Sequence, residues 1–278
     1  MYKLIAIDLD GTLLNDRKII PRENQEVIHR MIDRGYEVVI ATGRRYWSAK
    51  QLIKEIDNPL TILANNGNIV RNTRNDQIII KKYLNLDDFK TLIREGRKLE
   101  LNPIVHVDNY EEGIDLVIEM DKIHKDYCNY VSRFEERYKK VENYLEIDDA
   151  KILAVVYLGS KKDMERFHFH IKGRYPNSYN SHVVENIASA EALLEIMNPL
   201  GCKWLSLQEY AKKKGIEESA IIAIGDDNND AQMIKNAGCG IAMKNASETV
   251  KKVADIITEK DNNESGLALV LQKLLNLQ

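Results

Sequence analysis

Short apolar runs that end abruptly in acids, glycine or asparagine recur along this chain, with helical apolar stripes between them. Residues 4–7 are unbroken Leu-Ile-Ala-Ile and stop at Asp8-Leu9-Asp10-Gly11-Thr12. Residues 37–41 end in Thr42-Gly43-Arg44, residues 61–64 in Asn65-Asn66-Gly67, and residues 221–224 in Gly225-Asp226-Asp227-Asn228-Asn229-Asp230. Runs of this length, apolar on both sides, fit strands covered on both faces of a parallel sheet. Between them, Val27, Ile28, Met31 and Ile32 predict a helix from Pro21 to Gly35. Leu52, Ile53 and Ile56 predict a second, and Leu205, Leu207 and Ala211 a third over 203–213. Met233, Ile234 and Ala237 mark a helix stopped by Gly238, and Leu267, Val270, Leu271 and Leu274 a closing helix over 265–275. Short edge strands are expected at 240–243 and 255–257. Alternating strand and helix patterns predict an α/β fold, a Rossmann-like core with a parallel sheet. Ligands of such sheets bind beyond the carboxyl ends of the strands.

The texture changes from 83 to 189, where tyrosines and alternating charges become denser. Strand patterns at 103–107, 113–118 and 151–158, and helical patterns at 86–99, 122–139 and 161–173, predict an inserted α+β domain. The expected division is a discontinuous core of 1–82 and 190–278 with an insert of 83–189.

Composition narrows the function. Of 278 residues, 44% are hydrophobic and 30% charged, which supports packed cores rather than disorder. A net charge of −3 carries no basic field, so nucleic acid is not the expected partner. Cys128, Cys202 and Cys239 form neither a disulfide framework nor a zinc pattern and fit a reducing compartment. With no secretory pattern and no membrane-length apolar stretch, a soluble cytoplasmic protein is expected.

The chemistry gathers at the run ends. Asp8 and Asp10, two residues apart where a buried strand meets a glycine turn, can hold a cation or divide nucleophilic and acid/base work. A lone Asp-Gly is ordinary turn chemistry; the full Asp-x-Asp-Gly-Thr after a buried run is not. Thr42 and Gly43 can donate to a phosphate oxygen, though threonine there also suits a helix cap. Lys203 alone reads as a solvated helix lysine. The acids and amides at 226–230 could simply cap a helix. A calcium loop fails, because Ala231 stands where glycine is needed and Ala237 where the bidentate glutamate is needed. A magnesium site completed with Asp8 fits better, since magnesium takes one or two carboxylates plus water and substrate phosphate. No pair among the six histidines has metal-ligand spacing. Trp47 and Trp204 are expected in the core.

Asp8-Leu-Asp10-Gly11-Thr12, Thr42-Gly43-Arg44, Lys203 and Gly225-Asp226-x-x-Asn229-Asp230, in that order, resemble the four motifs of the haloacid dehalogenase superfamily. Asn66-Gly67, the segment 236–246 and Ala254-Asp255 resemble its Cof-type sugar-phosphatase branch. The resemblance implies a Mg²⁺-dependent phosphatase acting on small phosphorylated metabolites, sugar phosphates foremost. Asp8 would form an aspartyl-phosphate, and Asp10 would act as acid and then base. Asp8, the Asp10 backbone carbonyl and Asp226 would hold magnesium. Thr42, Gly43, Lys203 and Asn229 would hold phosphate, with Asp230 and Arg44 in support. The insert would be the family's C2-type cap. Trp204, where the family has glycine, and Ser265-Gly266, where it has Asp-Gly, depart from the pattern without removing a chemical role. A phosphotransferase or sugar phosphomutase would use the same aspartyl-phosphate. A phospho-acceptor signalling module is the remote alternative, disfavoured because Asn65-Asn66 end the third strand, where it would need an aspartate.

Overall fold

A computed structural model describes residues 1–119, 137–148, 151–187 and 190–277. They form two compact units: Met1–Lys81 with Cys202–Gln278, and Lys82–Gly201.

The first unit begins with β1 (Leu4–Asp8), α1 (Arg22–Asp33), β2 (Glu37–Ala41), α2 (Tyr46–Leu52) and β3 (Thr61–Ala64). A hairpin of β4 (Ile69–Asn72) and β5 (Ile78–Lys81) follows. The second unit contains α3 (Leu86–Arg97), β6 (Ile104–Asn109), β7 (Ile114–Glu119), β8 (Tyr138–Val141), β9 (Ile152–Gly159), α4 (Lys161–Arg174), β10 (Asn180–Ile187) and β11 (Ala190–Met197). The chain then completes the first unit with α5 (Lys203–Lys213), β12 (Ile221–Gly225), α6 (Ala231–Asn236), β13 (Cys239–Ala242), α7 (Glu248–Lys251), β14 (Ile256–Ile257) and α8 (Gly266–Leu275).

The first unit's eight strands run β14-β13-β12-β1-β2-β3-β4-β5, parallel from β14 to β3 and antiparallel through the hairpin. β1 is wholly buried, as its apolar run Leu4–Ile7 suits. The chain leaves β1 toward β2 and β3 on one side and returns as β12 on the other. That reversal makes the carboxyl ends of β1 and β12 a topological switch point, where motif residues converge.

The second unit is a six-stranded sheet, β10-β11-β9-β6-β7-β8. Phe89, Leu92, Met164, Phe167 and Ile171 pack with Val105, Val155, Tyr157 and Leu194 in one core cluster. The re-entry into the core domain expected at 190 lies later, after Gly201. β11 pairs antiparallel with both β9 and β10, from Ala192↔Gly159 to Met197↔Ala154 on one side. Its alternating Ala192, Leu194 and Ile196 join this unit's core. The hairpin β4–β5 and strands β8 and β10 carry no clean sequence signal. The helix expected over 122–139 falls outside the described residues up to 136, and its described end, Tyr138 and Lys139, belongs to β8. Trp204 is buried and Trp47 half-buried. No described helix is long and apolar enough to cross a membrane.

Candidate active site

Asp8 ends β1 and is 5% exposed. Thr42 follows β2, Asn66 follows β3, and Asp226 to Asp230 follow β12, so four adjacent strands deliver their polar ends to one rim. Lys203 opens α5 and is 1% exposed, far from the solvated state ordinary for lysine. Its Nζ donates to Asp8 Oδ1 at 2.7 Å and to Asp230 Oδ1 at 2.6 Å.

Asp230 is fully buried. Its other oxygen, Oδ2, accepts from the backbone N–H groups of Asp226 and Asp227, both at 3.1 Å. Asp230 therefore shapes the loop after β12 and neutralises Lys203 at once. Gly225 is required beneath it, because a Cβ there would stand 2.5 Å from the Asp230 carboxylate. Asp226 accepts from Thr12 Oγ1 at 3.0 Å. Gly11, at φ +76°, lets the turn press against Asp226; a Cβ at Gly11 would lie 2.2 Å from Asp226 Oδ2.

One oxygen each of Asp8, Asp226 and Asp230 lies within 4.8 Å of the others. Three carboxylates against the single ammonium of Lys203 leave a formal charge of −2 when all are ionised. Burial, then the charge of Asp230, pushes Asp8 well above the usual carboxylate range, against the pull of Lys203. Burial and Asp230 likewise push Asp226 up to about 7. Burial would lower Lys203, yet Asp230 and Asp8 hold it above the ordinary lysine value. An all-oxygen donor set with two excess negative charges fits a hard divalent cation such as Mg²⁺. Asp230 is committed to Lys203 and the backbone, which leaves Asp8 and Asp226 as the carboxylates to hold such an ion.

The Asp10 carboxylate has partners outside this cluster. Arg44 grips it with two bonds, Nε to Oδ2 at 2.5 Å and Nη2 to Oδ1 at 2.7 Å, and Lys18 Nζ reaches Oδ1 at 2.7 Å. Burial alone would raise Asp10, but Arg44 and Lys18 hold it down to about 2.

Thr42 is 1% exposed, and its Oγ1 accepts from the Arg44 N–H at 3.0 Å. Asn66, in the left-handed region at φ +54°, donates its N–H to the Thr42 carbonyl at 3.0 Å. Its Oδ1 accepts from Asn229 Nδ2 at 3.0 Å. A Cβ on Gly43 would come into ordinary contact with the amides of Asn66 and Asn229, at 3.4 to 3.7 Å, so Gly43 lies beside this pair. The structure thus brings Asp8, Asp226, Asp230 and Lys203 into one cluster, Thr42, Gly43, Asn66 and Asn229 into another, and Asp10 with Arg44 into a third. Sequence reading gave no role to Lys18, nor to Asn245 within the segment 236–246. Lys18 lies in an apparently ordinary polar turn, but it adopts φ +61°, a conformation lysine seldom takes.

The family model for haloacid dehalogenase-like hydrolases matches residues 5–271. YxeH of Bacillus subtilis, provisionally named a phosphatase, is 31% identical over 99% of each chain. The 5-amino-6-(5-phospho-D-ribitylamino)uracil phosphatase YwtE of the same organism is 28% identical over 99% of each chain. Among solved structures, a haloacid dehalogenase-like hydrolase from Bacteroides thetaiotaomicron superposes with a TM-score of 0.80 at 28% identity, covering 99% of this chain and 100% of that one. With its fold, its order of motifs and this match along nearly its whole length, the chain belongs to the haloacid dehalogenase-like hydrolase family.

Proposed function

We propose that this enzyme is a Mg²⁺-dependent phosphatase of small phosphorylated metabolites, working through an aspartyl-phosphate on Asp8. The observation that carries the reading is the buried Asp8–Lys203–Asp230 triad beside Asp226, a cluster short of positive charge at the carboxyl end of the central strand. Such a site invites a divalent cation and a phosphoryl group together, and charge neutralisation is the main work in phosphoryl transfer.

In this reading Asp8, the Asp10 backbone carbonyl and Asp226 would hold Mg²⁺, which would supply positive charge to neutralise the phosphoryl group. A carboxylate oxygen of Asp8 attacks phosphorus, and the bond from phosphorus to the leaving oxygen breaks as Asp10 gives that oxygen a proton. Water then attacks phosphorus, Asp10 takes its proton, and the Asp8–phosphorus bond breaks. Lys203, Thr42, the Gly43 backbone and Asn229 hold phosphate oxygens. Asp10 is ionised in the free enzyme, so substrate binding must loosen the grip of Arg44 and Lys18 and let Asp10 take up a proton from solvent before it can act as an acid. The insert, 82–201, takes the substrate-selecting role of the family's cap. The substrate class is phosphorylated sugars and polyols, a class that includes the ribityl phosphate in the name of YwtE.

Phosphate release from a panel of sugar, polyol and nucleoside monophosphates tests the proposal, with Mg²⁺ or a chelator and with Asp8→Asn as control. Release is expected only with Mg²⁺ and only from the wild type. Equal release by Asp8→Asn overturns the assignment of the nucleophile, and transfer to an acceptor sugar in place of water turns the reading to a phosphotransferase.

A further inference from the structure

Asn245 lies just past β13, outside every motif that carries the chemistry. Its loop is zipped to the one after β12: Met243 N–H donates to the Gly225 carbonyl at 3.0 Å and Ser247 N–H to the Asp226 carbonyl at 2.9 Å. Between these anchors, Asn245 Nδ2 donates to the Gly11 carbonyl at 2.8 Å and approaches Asp226 Oδ2 at 3.5 Å. Its Oδ1 accepts from the Asn262 N–H at 3.2 Å. A backbone N–H can only be met by the amide oxygen, so the orientation of the Asn245 amide is fixed and its NH₂ must face Gly11 and Asp226. Asn262 is itself held: it is 3% exposed, and its Nδ2 donates to the Leu14 carbonyl at 3.0 Å and to Asp16 Oδ1 at 3.1 Å.

One exposed amide therefore ties three loops together: the turn carrying Asp8 and Asp10, the loop carrying Asp226, and the turn at 261–264. The two loops it joins most directly carry the carboxylates that would hold a divalent cation. We propose that Asn245 is a positioning residue for the metal site. It acts on the ligands from outside, fixing the Gly11 backbone and one oxygen of Asp226 so that Asp8 and Asp226 stand ready for Mg²⁺. This inference rests on the metal reading above. Groups that orient metal ligands without touching the ion change affinity by about 10–100-fold when removed.

Mg²⁺ titration of the metal-free protein, followed by calorimetry and by the rise in melting temperature, tests this without reference to turnover. Asn245→Ala is expected to bind Mg²⁺ about 10–100-fold more weakly, with its metal-free melting temperature unchanged. Asn245→Ser, too short to reach the Gly11 carbonyl, should show the same weakening, and serves if the alanine variant folds poorly. Affinity within about twofold of wild type in a folded variant overturns the inference while leaving the metal site standing. So does a lowered metal-free melting temperature with unchanged affinity, the mark of a purely structural bond. A wild type that shows no response to Mg²⁺ overturns this inference and the metal reading together.

Discussion

Both units bury acids, but they treat them in opposite ways. In the second unit each is met by its own donors. Glu95 accepts from Lys98 at 2.7 Å, His170 at 2.8 Å and Tyr175 at 3.1 Å. Glu119 meets Arg97 at 2.5 Å, and Asp115 is gripped twice by Arg137 at 2.8 and 3.1 Å. Lys98 and its companions hold Glu95 down to about 2. In the first unit Asp8, Asp226 and Asp230 crowd round Lys203, and two of them are pushed up. Acids that serve the fold are neutralised where they stand. Acids left crowded and under-neutralised, at the end of a central strand, are poised for a ligand that brings the missing charge.

The sharpest way to break this contrast is to remove the shared cation. Lys203→Met leaves the buried Asp8 and Asp230, with the half-buried Asp226 beside them, without a counter-charge, and should cost about 3–5 kcal/mol of stability in metal-free protein near neutral pH. Denaturant melts with and without Mg²⁺ would measure it, and a loss below about 1 kcal/mol would show that Lys203 does not balance the cluster.

A milder probe is pH. Asp8 and Asp226 sit above their unfolded value near 3.8, so folding favours their protonated forms. Their contribution is full below that value and is lost as pH rises through about 7 for Asp226. Metal-free protein should therefore melt at lower temperature at pH 8 than at pH 5, and Mg²⁺ should recover the difference at pH 8. Glu95 runs the other way. Its unfolded value is 4.5 and its folded value about 2, so its contribution is full above 4.5 and fades as pH falls toward 2.

The smallest expected effect is that of Glu95→Gln. It should lower the melting temperature by a few degrees and leave Mg²⁺ affinity unchanged. A change in Mg²⁺ affinity would blur the line between the two sets of acids.

The parallel core and its rim were legible in the sequence because the cause is local. A strand buried on both faces must be apolar throughout, so Asp8 or Asp226 at its end is conspicuous in one dimension. What stayed hidden depends on partners far along the chain. Asp230 read as a supporting acid of the loop after residues 221–224 and is also the counter-ion of a lysine 27 residues away. Asp10 read as one member of an acid pair, yet its carboxylate turns to Arg44, 34 residues away, and to Lys18. Lys18 lay in a polar turn whose left-handed backbone no composition announces. β11 read as the return to the core, because its apolar alternation names a sheet face without saying which sheet.

The most direct test is to look for the phosphoryl group on Asp8. Enzyme mixed with Mg²⁺ and a hydrolysed sugar phosphate, quenched in acid during turnover, should carry a phosphate adduct on the tryptic peptide of residues 4–17, at Asp8. Asp8→Asn should carry none. An adduct on another residue, or steady turnover by Asp8→Asn without an adduct, would contradict the assignment of Asp8 as nucleophile.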